Sequence, residues 1–188
     1  MNSRNLMIGL FVIAVVAQLA VPGWILARHE NVLRNGATYR FQCMPVDPVD
    51  LLRGRYVALG FPEMSGNGIP DRDHGIDPVY VTFEAGDDGF AKIATVFADP
   101  PADRPYLRIG KRDWRPTGQG RIQIDLPFDR FYMDENVAPK AERMMRRTGN
   151  ERLEAYLEVR ILHGQPAPVE LYIDGKPASE IRGQDTKP

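Results

Sequence analysis

The spacing of hydrophobic positions changes sharply along this chain. Leu6 to Ala27 is a run of 22 residues, LMIGLFVIAVVAQLAVPGWILA, without one charged side chain, and the amide of Gln18 is its main polar interruption. A helix of that length covers about 33 Å, enough for a hydrocarbon layer of about 30 Å. Pro22 and Gly23 predict a bend or an end to such a helix, and Trp24 suits the aromatic belt at a membrane surface. After a connector over 28–37 the period drops to two. Alternating runs predict strands at Thr38–Cys43, Tyr56–Phe61, Val79–Glu84, Phe90–Phe97, Tyr106–Ile109, Arg121–Leu126, Leu153–Leu162, Val169–Ile173 and Lys176–Ile181. Gly86-Asp87-Asp88-Gly89 and Asp174-Gly175 read as hairpin turns. Met64–Pro78 and the stretch around Trp114, Pro116, Gly118 and Gly120 read as loops.

One helix is expected in the second part, from Pro139 to about Thr148. There Val137, Ala141, Met144 and Met145 form an apolar stripe, and Gly149 follows as a stop. Arg143, Arg146, Arg147 and Arg152 cluster at its end, a solvated face or a contact for an anionic surface. The expected architecture is therefore an N-terminal transmembrane helix plus an α+β, mainly antiparallel β domain, barrel or sandwich, with one principal exported helix. Its expected boundaries are a short tail at 1–5, an anchor at 6–27, the connector at 28–37, the β-rich domain at 38–182 and a frayed tail at 183–188.

Charge sharpens the division. Of 24 basic and 25 acidic residues, only Arg4 precedes position 28, so the second part has a near-neutral, water-facing surface. No basic excess exists to form a nucleic-acid footprint. Arg4 and the small residue Ala27 also permit a cleaved signal peptide, although the apolar run exceeds the usual signal core. Both readings export the rest. The favoured placement is single-pass in the bacterial inner membrane, with the C-terminal domain on the periplasmic or external side. Cys43 is the only cysteine, which excludes an intramolecular disulfide and a multi-cysteine zinc site, and it is expected to be a small buried hydrophobe.

The sequence nominates no catalytic set. It lacks G-x-S-x-G, H-E-x-x-H and P-loop patterns. Ser65 sits among turn residues and is read as structural. Asp71, Asp73, His74 and Asp77 fall close enough to wrap a cation, but Arg72 opposes one and the EF-hand spacing is absent. His29 and His163 are isolated. No cofactor or metal is expected. Type I signal peptidase, whose outline is vaguely similar around Pro48 to Val57, would carry a nucleophilic serine that this chain lacks.

A more informative stretch is Pro45-Val46-Asp47-Pro48-Val49-Asp50-Leu51-Leu52-Arg53-Gly54-Arg55-Tyr56-Val57-Ala58-Leu59-Gly60-Phe61. Asp47 is placed to cap a helical turn, Pro48 fits its first position, Asp50 completes an imperfect capping box, and Gly54 ends the turn before the strand. Val57, Leu59 and Phe61 share the core face, leaving Tyr56 on the other as the candidate for a specific contact. The stretch resembles the GDYXXLXY family of membrane-anchored bacterial proteins, matching at Gly54, Tyr56 and Leu59, with Arg55 and Phe61 in place of the motif's aspartate and last tyrosine. The resemblance implies an anchored protein without an established activity, accompanying larger multi-spanning proteins. The expected partners are thus the lipid bilayer and a membrane protein, possessing several spans in the family's pattern. The expected role is that of a non-catalytic binding or accessory component of a membrane complex. The alternative is an envelope enzyme whose carboxylates converge only on folding.

Overall fold

A computed structural model of the chain describes residues 3–45, 56–62, 64–67, 76–118, 120–132 and 155–183. The expected helix over 139–148 and the acidic residues Asp71 and Asp73 with His74 lie outside the described residues.

Helix α1 spans Ser3–Asn35 and passes through Pro22 without ending. The connector expected over 28–37 is helical as far as Asn35, and Ala37 already belongs to a strand. Side-chain pairs one turn apart hold this last stretch: Arg34 Nε donates to Glu30 at 2.7 Å, and the Asn35 amide donates to Asn31 at 2.6 Å. Pro22 has no N–H to offer the Gln18 carbonyl one turn earlier, and the helix continues past it all the same. Met7–Asn35 is long and apolar enough to cross a membrane, with none of its most apolar window buried against the protein. Leu10, Phe11, Val12 and Ile13 are successive residues, each more than half exposed. Successive helical residues are about 100° apart, so apolar side chains point in every direction around the axis. A helix apolar all round has lipid as its solvent. Arg28 lies over the Trp24 ring at 5.2 Å, a pairing suited to the membrane–water boundary.

The rest is a β domain of short strands. β1 (Ala37–Gln42), β11 (Ala155–Leu162), β12 (Gln165–Ile173) and β13 (Lys176–Pro177) form one sheet in the order β1-β11-β12-β13. β2 (Met44–Pro45), β3 (Tyr56–Gly60) and β10 (Arg130–Tyr132) form a second, ordered β10-β3-β2. β4 (Met64–Asn67), β9 (Arg121–Ile124) and β8 (Trp114–Gly118) form a third, and β6 (Ala91–Phe97), β5 (Val79–Ala85) and β7 (Leu107–Ile109) a fourth. Every named strand pair is antiparallel. Two segments expected as loops are strands, β4 and β8, and the last expected strand stops at Pro177 and gives way to a 3-10 turn over Ala178–Gly183. Gly66 explains the first of these. A Cβ there would fall 2.3 Å from Ile93 Cγ2, so the glycine serves close strand packing rather than a turn. Pro116 is accommodated because β8 is an edge strand.

The alternation along β11 is complete: Ala155, Leu157, Val159 and Ile161 are buried while the residues between them are half-exposed. Phe41 from β1 sits beneath them, 1% exposed, with its ring edge-on to Phe83 at 5.2 Å and to Phe128 at 5.1 Å. Those contacts join different sheets into one core.

The helix meets this domain without a linker. Val32 is 3% exposed, the Arg160 guanidinium donates to the Leu33 carbonyl, and Gly36 N donates to Val32 O at 2.9 Å. Arg160 thereby satisfies one of the carbonyls left open at a helix C-terminus. A Cβ on Gly36 would lie 2.5 Å from Val32 O and 3.0 Å from Arg160 Cβ. Gly36→Ala should therefore destabilise the junction by about 1–3 kcal/mol. In detergent this should appear as a fall in Tm of several degrees. Gly23→Ala, where nothing lies within 4 Å, is the matched control and should leave Tm unchanged.

Candidate functional site

Three edge strands from three sheets converge on one opening: β1, β4 and β6. Where they meet is a cleft of about 420 Å³. Its apolar wall includes Phe41, Phe61, Met64, Phe90 and Ile93, and Glu84, Asp88 and Lys92 stand at its rim. The ring of Phe61 is edge-on to Phe41 at 6.5 Å and to Phe128 at 5.5 Å, so aromatic packing fixes this wall. Beside it lies a smaller hollow of about 260 Å³, lined by Tyr39, Phe83, Glu84, Ala94, Asp103 and Arg104. Glu84 borders both.

Rim chemistry is settled by local partners. Asp88 accepts Phe90 N at 3.2 Å and pairs with Lys92 Nζ at 3.2 Å. The Phe90 amide first, and Lys92 second, hold its carboxyl below the ordinary aspartate value. Asp103 pairs with Arg104 at 3.1 Å, and that guanidinium likewise lowers its carboxyl. Glu84 has no such partner among the described residues. Ser65 and Lys92 share the larger cleft, but Ser65 Oγ accepts from Arg121 Nη2 at 3.1 Å while Lys92 is held by Asp88. They form no serine–lysine nucleophile pair. Cys43 is 3% exposed, and burial pushes its thiol up to about 12, which leaves almost no thiolate at neutral pH.

Of the residues nominated from sequence, Asp47, Pro48, Asp50 and Gly54 lie outside the described residues. Tyr56 opens β3 directly opposite Tyr132. Leu59 is 3% exposed, pairs with Pro45, and donates its N–H to Asp129 O at 2.8 Å. Leu59 is thus a core residue at the centre of its sheet, and Phe61 two residues on, packed against the same core, forms the cleft wall. No group of three His, Cys, Asp or Glu among the described residues is arranged to hold a metal ion. His29 is exposed on α1, and His163 is exposed in the β11–β12 turn with a φ of 46°. Asp77 accepts Lys111 N at 3.0 Å. The cleft itself had no sequence signature, because its walls come from separated segments.

Leu59→Ala should cost about 2–5 kcal/mol as a buried truncation. Phe61→Tyr, which restores the family's aromatic, should cost under about 1.5 kcal/mol because the ring and its edge contacts are kept. Equilibrium unfolding of both variants in detergent checks the order, and a Phe61→Tyr loss as large as that of Leu59→Ala would remove the assignment of Phe61 to a half-buried wall.

No curated protein and no solved structure matches the chain significantly. The GDYXXLXY protein family matches over residues 18–171, from within the apolar helix into β12, and takes in the β3 strand and the cleft walls. With most of its length covered by that match, the chain belongs to the GDYXXLXY family.

Proposed function

We propose that this protein is a single-pass component of the bacterial inner membrane that presents its β domain on the periplasmic or external side as a non-catalytic binding element of a membrane complex. The observation that carries the reading is the union of a lipid-facing helix with a docked β domain. Apolar side chains surround α1, and its C-terminal turn is fixed to β11 through Val32, Leu33 and Arg160. A single span encloses no transport pathway, so its contribution is to hold the domain at the bilayer. Binding is favoured by the half-buried aromatic cleft. Alkaline carbonate extraction and intact-mass measurement should find the whole chain, helix included, in the membrane pellet. Recovery of a soluble form shortened by about 27 residues would instead support signal cleavage. Cross-linking followed by native gel separation should recover the full chain in a species larger than itself.

Within this reading Asp47, Pro48, Asp50 and Gly54 form the turn entering β3, and Tyr56 offers a specific contact. Asp47→Ala should then cost about 0.5–2 kcal/mol, the worth of a helix cap. Tyr56→Phe should leave the unfolding midpoint unchanged and reduce recovery of the cross-linked species. Unchanged stability together with unchanged recovery would end the proposed role of the Tyr56 hydroxyl.

A further inference from the structure

The lipid-facing helix carries unpaired polar groups near mid-membrane. Gln18 lies well inside the uncharged run Leu6–Ala27, about 14 Å of helix from its nearer end, close to the middle of a hydrocarbon layer about 30 Å thick. Its side chain is exposed, and no described residue bonds the amide. Pro22 opens a second group, because the N–H that would donate to the Gln18 carbonyl is missing. One residue thus offers two N–H donors, an amide oxygen and a freed backbone carbonyl where lipid supplies no hydrogen bond. The side chain cannot escape to water. A helical side chain leans toward the N-terminus, and for Gln18 that direction leads to the farther surface of the layer. The carbonyl points the opposite way, toward the C-terminus, so amide and carbonyl do not satisfy each other.

What can stand beside Gln18 is limited by the β domain. The residues from Gln18 to Gly36 make about five helical turns, so the two point the same way about the axis. In that direction Gly36 meets the sheet: a Cβ on it would lie 3.0 Å from Arg160 Cβ and 3.1 Å from Ile161 N. Val32, buried, and Leu33, half-buried, fall about 40° to one side of this line and about 60° to the other. The Gln18 face is therefore the side of α1 on which the sheet stands. A second copy of the chain packed on that face, at a spacing of about 8–10 Å, would have to place its own last helical turn where the first copy's sheet lies. A helix from another protein that ends at the membrane surface meets no such obstacle. We infer that the Gln18 face of α1 receives a membrane-spanning helix of a different protein, one with a hydrogen-bonding side chain near mid-membrane, and that this helix ends beneath the β domain. The small Ala14, one turn before Gln18, lets the two backbones approach. This names the kind of partner for the accessory role proposed above and rests on that role.

The test uses the full chain in the membranes of its native cells, with the photo-cross-linker p-benzoylphenylalanine in place of Ala14, on the Gln18 face, or of Val16, on the opposite face. Illumination should join the Ala14 form, and not the Val16 form, to a second protein of different mass. Adding Gln18→Leu should lower that yield about three- to tenfold, the worth of one hydrogen bond between helices in a membrane, while Gln18→Asn keeps most of it. Thermal unfolding of Gln18→Leu in detergent should match that of the unaltered chain, since Gln18 is exposed and no described domain residue bonds it. Equal joining from both faces, or a yield unmoved by Gln18→Leu, overturns the inference. An adduct of two copies, recognised when differently tagged chains co-purify after illumination, overturns it in favour of self-association. A native-gel complex that survives Gln18→Leu while the Ala14 adduct is absent overturns the docking face and leaves the accessory role standing. Absence of both complex and adduct overturns the two together.

Discussion

One phenylalanine ring holds four segments of this domain in contact. Phe41 leaves β1 and meets Phe83 of β5, Phe128 of the segment before β10, and Phe61 just beyond β3. Each neighbour belongs to a different part of the chain, and each presents an edge or a tilted face, the arrangement that the ring quadrupole favours. Short sheets of three or four strands each bury little apolar surface alone. Their stability is collective, and the ring common to four segments is what makes it so. The cleft borders the same packing, since Phe41 and Phe61 line it together with Met64 of β4 and Ile93 of β6.

What was legible in the sequence was whatever rests on local periodicity. The uncharged run gave the spanning helix, and the alternation of β11 gave a strand with one wholly buried face. The hairpin at Asp87 and Asp88 lies where Gly86 and Gly89 predicted it, with Gly89 at a φ of 77° that only glycine adopts freely. What was not legible rests on contacts distant in sequence. Gly66 and Asn67 read as turn residues, whereas Gly66 sits in a strand because Ile93 leaves no room for a side chain. Pro22 and Gly23 read as the end of a helix that continues for another three turns. The 28–37 segment read as a connector, but it is helical to Asn35 with Glu30–Arg34 as a helical pair, and Val32 is buried where α1 meets β11 and β12. The cleft gathers residues from 41 to 93, and no spacing in one segment could announce it.

The family motif divides along the same line. Leu59 and Phe61 are explained by packing: one fills the core, the other walls the cleft and touches two further rings. A tyrosine at the last position keeps that ring, so this chain's phenylalanine preserves the structural part of the motif. Tyr56 stands three residues before Leu59 at the start of β3 and so differs from it in strand parity. The motif is therefore partly a folding signal, and matching letters in it need not all report chemistry.

Geometry also limits where the β domain can stand. Arg28 over Trp24 marks the upper end of the lipid-facing run, and from there to Asn35 the helix rises about 10 Å. Phe41 is six residues further, a reach of about 20 Å even if the chain were fully extended. The β1 edge thus lies within about 30 Å of the headgroups. Helix and sheet are joined without a linker, with Val32 buried and Gly36 packed between Val32 O and Arg160 Cβ. A flexible linker would have let the domain sample a wider volume. The direct junction gives up that reach and holds the β domain in the layer next to the helix end.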